Sequence, residues 1–325
     1  MLQPAFKGGG AWEMHLMKKP FFMIIVVSYN AGDKLLRTVE SVCRQSFKDY
    51  CVFVKDGMST DGSIARLKEA FDVGDASEFG DRKITLLESC DNGIYHAMNI
   101  AASYVEERVK AGREKESKPG FGENRILHAG ETPSYIFYLN CGDYFRDGDV
   151  LKKVHDIITE RNSREGTTLP AIYYGDIYDC SAGARVASNP KIDDYGCYRN
   201  VPSHQACFYD ERLIYRNPFD LQFKVRADYE QFLRCFYREK ADTVYMPVVV
   251  ADYEGGGYSA TNLRISEEER KNIIKMYLPA SKVRKYDLLR ALTLAPLRTA
   301  IANNKVTSGA YNAVKNAVYS IKRKK

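Results

Sequence analysis

The groups in this 325-residue chain that could do chemistry fall in four short polar runs, each following an apolar segment. They are Ser28-Tyr29-Asn30, Asp56-Gly57-Met58-Ser59-Thr60-Asp61-Gly62, Cys90-Asp91-Asn92-Gly93 and Asn140-Cys141-Gly142-Asp143. One Asp-Gly or Asn-Gly turn is ordinary loop chemistry, and a lone aspartate after a strand is often a helix cap. Four such runs in succession point to a site. Carboxylates hold phosphate through a divalent cation, and Mg2+ suits that role with one or two carboxylates plus phosphate oxygens. No G-x-G-x-x-G follows the first apolar segment, and neither G-x-x-x-x-G-K-[ST] nor G-x-S-x-G occurs. Dinucleotide, P-loop and serine-hydrolase chemistry therefore lack their signatures.

The elements that must present these groups alternate in type. Phe21 to Tyr29, with Ile24, Ile25, Val26 and Val27 consecutive, predicts a buried strand. Leu35, Leu36, Val39, Val42 and Cys43 keep the spacing of one helix face. Further strands are expected over 50–55, 83–87, 135–139 and 171–178, with helices over 64–71, 94–109 and 149–161. That alternation predicts an α/β fold with a mainly parallel sheet, in which ligands bind at the carboxyl ends of the strands. Beyond residue 180, strands are expected over 206–209 and 243–253 and a helix over 228–238. Ser266 with Glu269 reads as a capping box opening a helix over 266–278. Helices over 286–301 and 310–325 are also expected. Residues 1–20, with Gly8-Gly9-Gly10, read as a leader without packed structure, and Lys115 to Thr132 as an exposed insertion.

Together, Val27-Ser28-Tyr29-Asn30, Asp56-Gly57-x-Ser59-Thr60-Asp61-Gly62, Asp91-x-Gly93-Ile94-Tyr95-x-Ala97-Met98-Asn99 and Leu139-Asn140-x-Gly142-Asp143 resemble family 2 glycosyltransferases. The bacterial branch that builds surface polysaccharides is nearest, and the resemblance covers residues 21–260. It implies a GT-A fold and inverting transfer from a nucleotide-diphosphate sugar, expected to be UDP-linked, to a hydroxyl of a saccharide or lipid-linked saccharide. The nucleotide-sugar half would be 21–145 and the acceptor half 146–260, followed by a basic helical tail over 261–325.

Carried over residue by residue, the resemblance puts Tyr29 beside the nucleotide base and its neighbours Ser28 and Asn30 in the same nucleotide-sugar site. It gives Asp56, with Gly57, the hydrogen bond to that base, and Asp61 reads as a structural cap. Asp91 and Gly93 would approach the ribose and diphosphate, in a donor site completed by Asn140 and Gly142. Asp143 matches the last carboxylate of a D-x-D signature that coordinates Mg2+ or Mn2+; its first carboxylate is replaced by Asn140, or by Cys141, depending on register. Asp228 matches the catalytic base, because inverting transfer needs a carboxylate beside the acceptor hydroxyl. Read from the residues alone, Asp228 is a helix N-cap. His204 and Gln205 are expected to contact acceptor or sugar, although a lone histidine more often has a structural role. Gly256 and Ser259, also expected to contact acceptor or sugar, lie in a Gly-Gly-Gly-Tyr-Ser run that reads either as a loop closing over the diphosphate or as a linker. The missing carboxylate motivates a rival, a nucleotide-sugar-binding or scaffolding protein of the same fold. A sugar-phosphate nucleotidyltransferase would want a glycine-rich basic loop after the first strand, and Ser28-Tyr29-Asn30-Ala31-Gly32 is not one.

Composition bounds these readings. A chain with 28% charged and 12% aromatic residues is not a disordered one. No apolar run approaches the roughly 20 residues of a membrane-spanning helix. Eight cysteines without a C-x-x-C pair argue against zinc or a disulfide framework and for reduced thiols, hence a cytoplasmic protein. Residues 279–325 carry eleven Lys or Arg and one Asp, a charge of +10, leaving −4 on the rest. Such a tail reads either as a peripheral anchor to an anionic membrane, here on the inner face of the cell membrane, or as helices packed on the body. Nucleic acid is not an expected partner, since no aromatic-basic motif accompanies the tail.

Overall fold

The computed structural model describes residues 19–116, 133–167, 169–255, 262–292 and 314. Most of the expected leader, all of the expected insertion but its first two residues, Gly256, Ser259 and the tail beyond Leu292 apart from Val314 lie outside the described residues.

The apolar run of Ile24 to Val27 forms β1 (Phe22–Ser28), buried along its whole length. Parallel β2 (Tyr50–Asp56) and β5 (Tyr135–Asn140) flank it. Beyond β2 come β4 (Ile84–Glu88) and a short β3 (Val73–Asp75), both parallel. On the other side, β9 (Cys207–Asp210) runs antiparallel between β5 and β7 (Ala171–Asp179). The long β10 (Asp242–Tyr253) then lies parallel to β7 and pairs with β6 (Tyr144–Phe145), while β8 (Ala184–Val186) pairs with β7. Chain order thus departs from β1 in two directions, with β2 on one side and β5 on the other. A crevice opens outside the carboxyl ends of the strands at such a switch point. Register aligns the polar ends: Ser28 sits opposite Asp56, and Val27 opposite Asn140.

Both sheet faces are covered, so β1 is apolar at every position rather than alternating. Phe22, Ile24 and Val26 pack with α1 (Asp33–Cys43), α2 (Ser63–Ala70) and α4 (Val150–Glu165). Met23, Ile25 and Val27 pack against the other layer. There α3 (Ile94–Glu116) lies with the short α6 (Glu211–Arg216), α7 (Ala227–Tyr237) and α8 (Leu263–Tyr277).

Four expectations change. Helix α3 runs on to Glu116, beyond the expected end at Val109. The strands β3, β6 and β8 were not anticipated, being three, two and three residues long. Ser266 does not open a capping box. It lies one turn inside α8, buried, and Glu269 turns away to the chain entering α7. Helix α9 (Ala280–Leu292) begins six residues before the expected start. It rests on α5 (Asp194–Arg199), with the Tyr286 ring 5.2 Å from Tyr195 and 5.4 Å from Tyr198, and Lys282 paired with Asp194.

Candidate functional site

The loops after β1 and β2 are knitted together. Asn30, in the left-handed region at φ 46°, donates its N–H to Ser59 Oγ at 2.8 Å and accepts from Thr60 N at 2.9 Å. Asp61 accepts from Gly32 N at 2.7 Å and from the Ser63 N–H and hydroxyl at the start of α2, so its structural assignment fits. The Ser63 and Gly32 hydrogen bonds depress its carboxyl to about 2. Asp56 is wholly buried, and both of its oxygens are taken by Ser59 at 2.6 Å. It braces the loop around the expected base site. Tyr29 projects from that loop, 69% exposed, and Ser28 is buried behind it.

Asp91 is held from two sides. It accepts from Gly93 N at 3.0 Å and from the ammonium of Lys55, which also donates to Ser89 O at 2.6 Å. A side chain at Gly57 would begin 3.0 Å from the Tyr29 ring and 3.1 Å from Asp91 Oδ2, so glycine lets these two close together. Tyr29, Asn30, Gly57, Asp91, Gly93 and Asn140 line a cavity of about 740 Å³, a size that suits a small-molecule ligand.

Asp143 lies beyond β5, buried. Its Oδ1 accepts from Glu254 N at 3.0 Å and its Oδ2 from Gln205 Nε2 at 3.1 Å. Thr38 clamps the turn, accepting from Gly142 N and donating to Asp143 O. Gly142 is favoured by its φ of 105°, and a Cβ there would lie 2.5 Å from Glu254 Oε2, so the glutamate would have to swing aside. Burial pushes the Asp143 carboxyl above its ordinary range, against the Glu254 and Gln205 hydrogen bonds. Gln205 is thus buried and engaged with Asp143 rather than open for substrate.

Among the described residues no group of three His, Cys, Asp or Glu side chains could cage a metal. The donors present do fit a cation that arrives with its own phosphate ligands. Asp143 is a desolvated carboxylate with no cationic partner shown, and Asn140 Oδ1 is buried without a hydrogen bond. Mg2+ and Mn2+ are hard ions that take such oxygens.

A second cavity, about 630 Å³, shares Lys34, Ile94, Asn140 and Cys141 with the first and adds Tyr95, Asp143, His204, Asp228 and Glu254. Asp228 is the second residue of α7, not its cap. The free N–H groups of Lys224, Val225 and Arg226 are instead taken by Glu269, at 2.8–3.0 Å. Asp228 Oδ1 accepts from Tyr229 N at 2.8 Å and Oδ2 lies 3.2 Å from His204 Nδ1. Burial alone would raise this carboxyl, but the His204 hydrogen bond, the nearby Arg226 guanidinium and the Tyr229 N–H outweigh it and hold it low. Asp228 is therefore an anion facing a cavity.

The sequence reading missed Lys34, Lys55 and Glu254, and gave Glu269 to a capping box instead of to the chain before α7. Only Lys55 left a signal, a lysine closing the apolar run Val52-Phe53-Val54, since lysine is almost never fully buried unless paired.

Residues 23–111 match Glycosyl transferase family 2. The chain is 28% identical to a PGL/p-HBAD biosynthesis glycosyltransferase of Mycobacterium bovis (strain BCG / Pasteur 1173P2). That similarity extends over 249 residues, 75% of this chain and 81% of the relative. A protein of the same name from Mycobacterium tuberculosis (strain ATCC 25177 / H37Ra) matches equally. The crystal structure of S. aureus TarS 1-349 in complex with UDP-GlcNAc superposes with a TM-score of 0.53 and 15% identity. That superposition covers 79% of this chain and 65% of that one, so this chain spans just under two thirds of the solved protein. The expected GT-A fold holds.

Proposed function

We propose that this protein is an inverting glycosyltransferase, moving a sugar from a UDP-linked donor to a hydroxyl of a saccharide or lipid-linked saccharide in cell-surface glycan synthesis. The observation that carries the reading is the meeting of two cavities at Asn140, the first lined by Tyr29, Gly57 and Asp91, the second by the anionic Asp228. A donor in the first cavity would present its sugar to an acceptor in the second. The family match over 23–111, the mycobacterial relatives' names and the likeness to a fold solved with UDP-GlcNAc support it.

In this reading, Tyr29 and the Asp56-braced loop receive the base, and Asp91 and Gly93 the ribose and diphosphate. Asp143 and Asn140 Oδ1 would hold Mg2+ or Mn2+, which when bound neutralises charge on the leaving diphosphate. Asp228 accepts the proton from the acceptor hydroxyl. Residues 21–260 form the catalytic unit. The basic segment beyond it brings the enzyme to an anionic membrane at the cytoplasmic face, where a lipid-linked acceptor resides.

The test is calorimetric titration with UDP, with and without Mn2+, together with UDP release from UDP-GlcNAc and other UDP-sugars. Wild type should bind UDP more tightly with Mn2+, and Asp143→Ala should lose that gain. Asp228→Asn should bind UDP normally while turnover falls about 10²–10⁴-fold, the usual contribution of a general base. Absence of nucleotide binding under all conditions would overturn the reading.

A further inference from the structure

Asn140 ends β5 with an amide, and the reason lies across the cleft. Its Nδ2 is 3.0 Å from His204 Nε2. An amide nitrogen only donates, so Nε2 must accept, and the single proton of the neutral ring then sits on Nδ1. Nδ1 is the atom 3.2 Å from Asp228 Oδ2, and its N–H points at that carboxylate. The opposite oxygen, Oδ1, takes the Tyr229 N–H at 2.8 Å. Oδ1 also lies 3.1 Å from the Tyr95 hydroxyl, whose one proton it shares with Val225 O at 2.9 Å. Asp228 is therefore gripped from three places: the 204 turn, α3 and its own helix.

A carboxylate at position 140 would upset this order. It can only accept, so it would draw a proton to Nε2, either as a second proton that makes the ring an imidazolium between two carboxylates or, in a ring that stays neutral, from Nδ1, whose bare lone pair then turns toward Asp228. In the neutral ring two lone pairs would then face each other 3.2 Å apart. Replacing the amide by a methyl would leave the ring without a tautomer preference imposed from that side.

We propose that Asn140 and His204 are positioning residues, which fix the His204 tautomer so that Nδ1–H holds Asp228 in the rotamer that faces the acceptor cavity. The inference rests on Asp228 being the base of the proposed transfer. It accounts for the amide at 140: this position serves the base as well as the donor. Neither residue exchanges a proton with substrate. Their effect is on the turnover of bound donor, not on its binding.

The experiment has a structural arm and a kinetic arm, both on the full chain. In the first, nitrogen-15 spectra of the imidazoles are recorded without ligand, and His204 is assigned by its loss in His204→Gln. The wild-type ring should carry its proton on Nδ1 alone, and Asn140→Asp should put a proton on Nε2. A wild-type ring protonated on Nε2 alone overturns the proposal. In the second arm, His204→Asn retains an N–H at the Nδ1 position, whereas His204→Gln retains a polar group only at the Nε2 position. With Mn2+ and the UDP-sugar that wild type turns over, kcat should stay within about tenfold of wild type for His204→Asn. It should fall about a hundredfold for His204→Gln, within the range a misplaced general base allows. Donor KM should be unchanged in both. Equal kcat in the two variants overturns the proposal, because a purely space-filling histidine would not tell the two amides apart. A wild-type chain with no turnover on any donor sinks the transferase reading itself, and the tautomer measurement still decides whether Asn140 sets the ring.

Discussion

The Lys55 ammonium, with no exposed surface of its own, is ion-paired to the Asp91 carboxylate, which lines the first cavity. The pair joins the inside of β2 to the loop after β4, and a second hydrogen bond to Ser89 O fixes the loop's entry. Breaking such a pair from one side leaves a buried charge uncompensated, which costs about 3–5 kcal/mol. Lys55→Met should therefore lower unfolding free energy by about that amount in urea titrations and weaken UDP binding. Adding Asp91→Asn should restore much of the stability but not the binding. If the double variant is as unstable as the sum of the two singles, the pair is not coupled.

Asp61 gives a pH signature. Its carboxyl lies at about 2 against an ordinary 3.8, because the Ser63 side-chain and backbone hydrogen bonds and the Gly32 N–H favour the anion. A depressed carboxyl contributes stability in full above its unfolded value and loses it as pH falls through its folded one. Asp61→Asn should thus be less stable than wild type at neutral pH by a constant margin down to about pH 4, the unfolded carboxylate value. The margin should close toward pH 2. Thermal melts at stepped pH check this, and a margin that grows in acid would contradict the assignment.

How much of this was legible follows from how local each signal is. The strand β1 announced itself because burial on both faces needs an unbroken apolar run, and the parallel neighbours followed from alternation with helices. Strands β3, β6 and β8 are too short to show any period. Asp143 and Asp228 were readable as carboxylates at element ends. Their supports were not, since Gln205 and Glu254 reach Asp143 from 62 and 111 residues away. The capping box at Ser266 failed for the same reason. Helix α8 starts at Leu263, and the Glu269 carboxylate found three unpaired N–H groups at 224–226, a stronger attraction than one N–H on its own helix.

That capture makes Glu269 a remote test of the base. Its carboxylate satisfies the chain just before α7, two residues ahead of Asp228. Hydrogen bonds to a charged group contribute about 1.5–3 kcal/mol each, though three on one carboxylate will not add fully. Glu269→Ala should destabilise the fold by about 2–4 kcal/mol on that basis, and turnover should fall with UDP affinity unchanged. Glu269→Gln, which keeps one acceptor oxygen, should lie between. A loss of UDP affinity equal to the loss of turnover would place the damage elsewhere.

Testing the proposed membrane role of the basic segment requires a cut in the right place. Truncation after Pro279 would remove Tyr286 from between Tyr195 and Tyr198, together with the Lys282–Asp194 pair and the Tyr198 hydrogen bond to Asp287. Such a variant would lose fold contacts along with its charges. Ending the chain at Leu292 keeps them, and still removes seven of the eleven cations counted from Pro279. Leu288 and Leu292 stand exposed at that end, 61% and 71%, beside Arg284 and Lys285. An amphipathic surface of this kind binds anionic lipid by apolar burial plus charge, with about 1 kcal/mol for each basic residue near the surface. The full chain should therefore sediment with vesicles containing phosphatidylserine and stay free of neutral ones. Binding should fall as salt rises, since exposed charges are screened over about 8 Å at physiological ionic strength. The chain ending at Leu292 should partition at least tenfold less while retaining UDP binding. Equal partitioning of the two chains would assign residues 293–325 no part in membrane attachment.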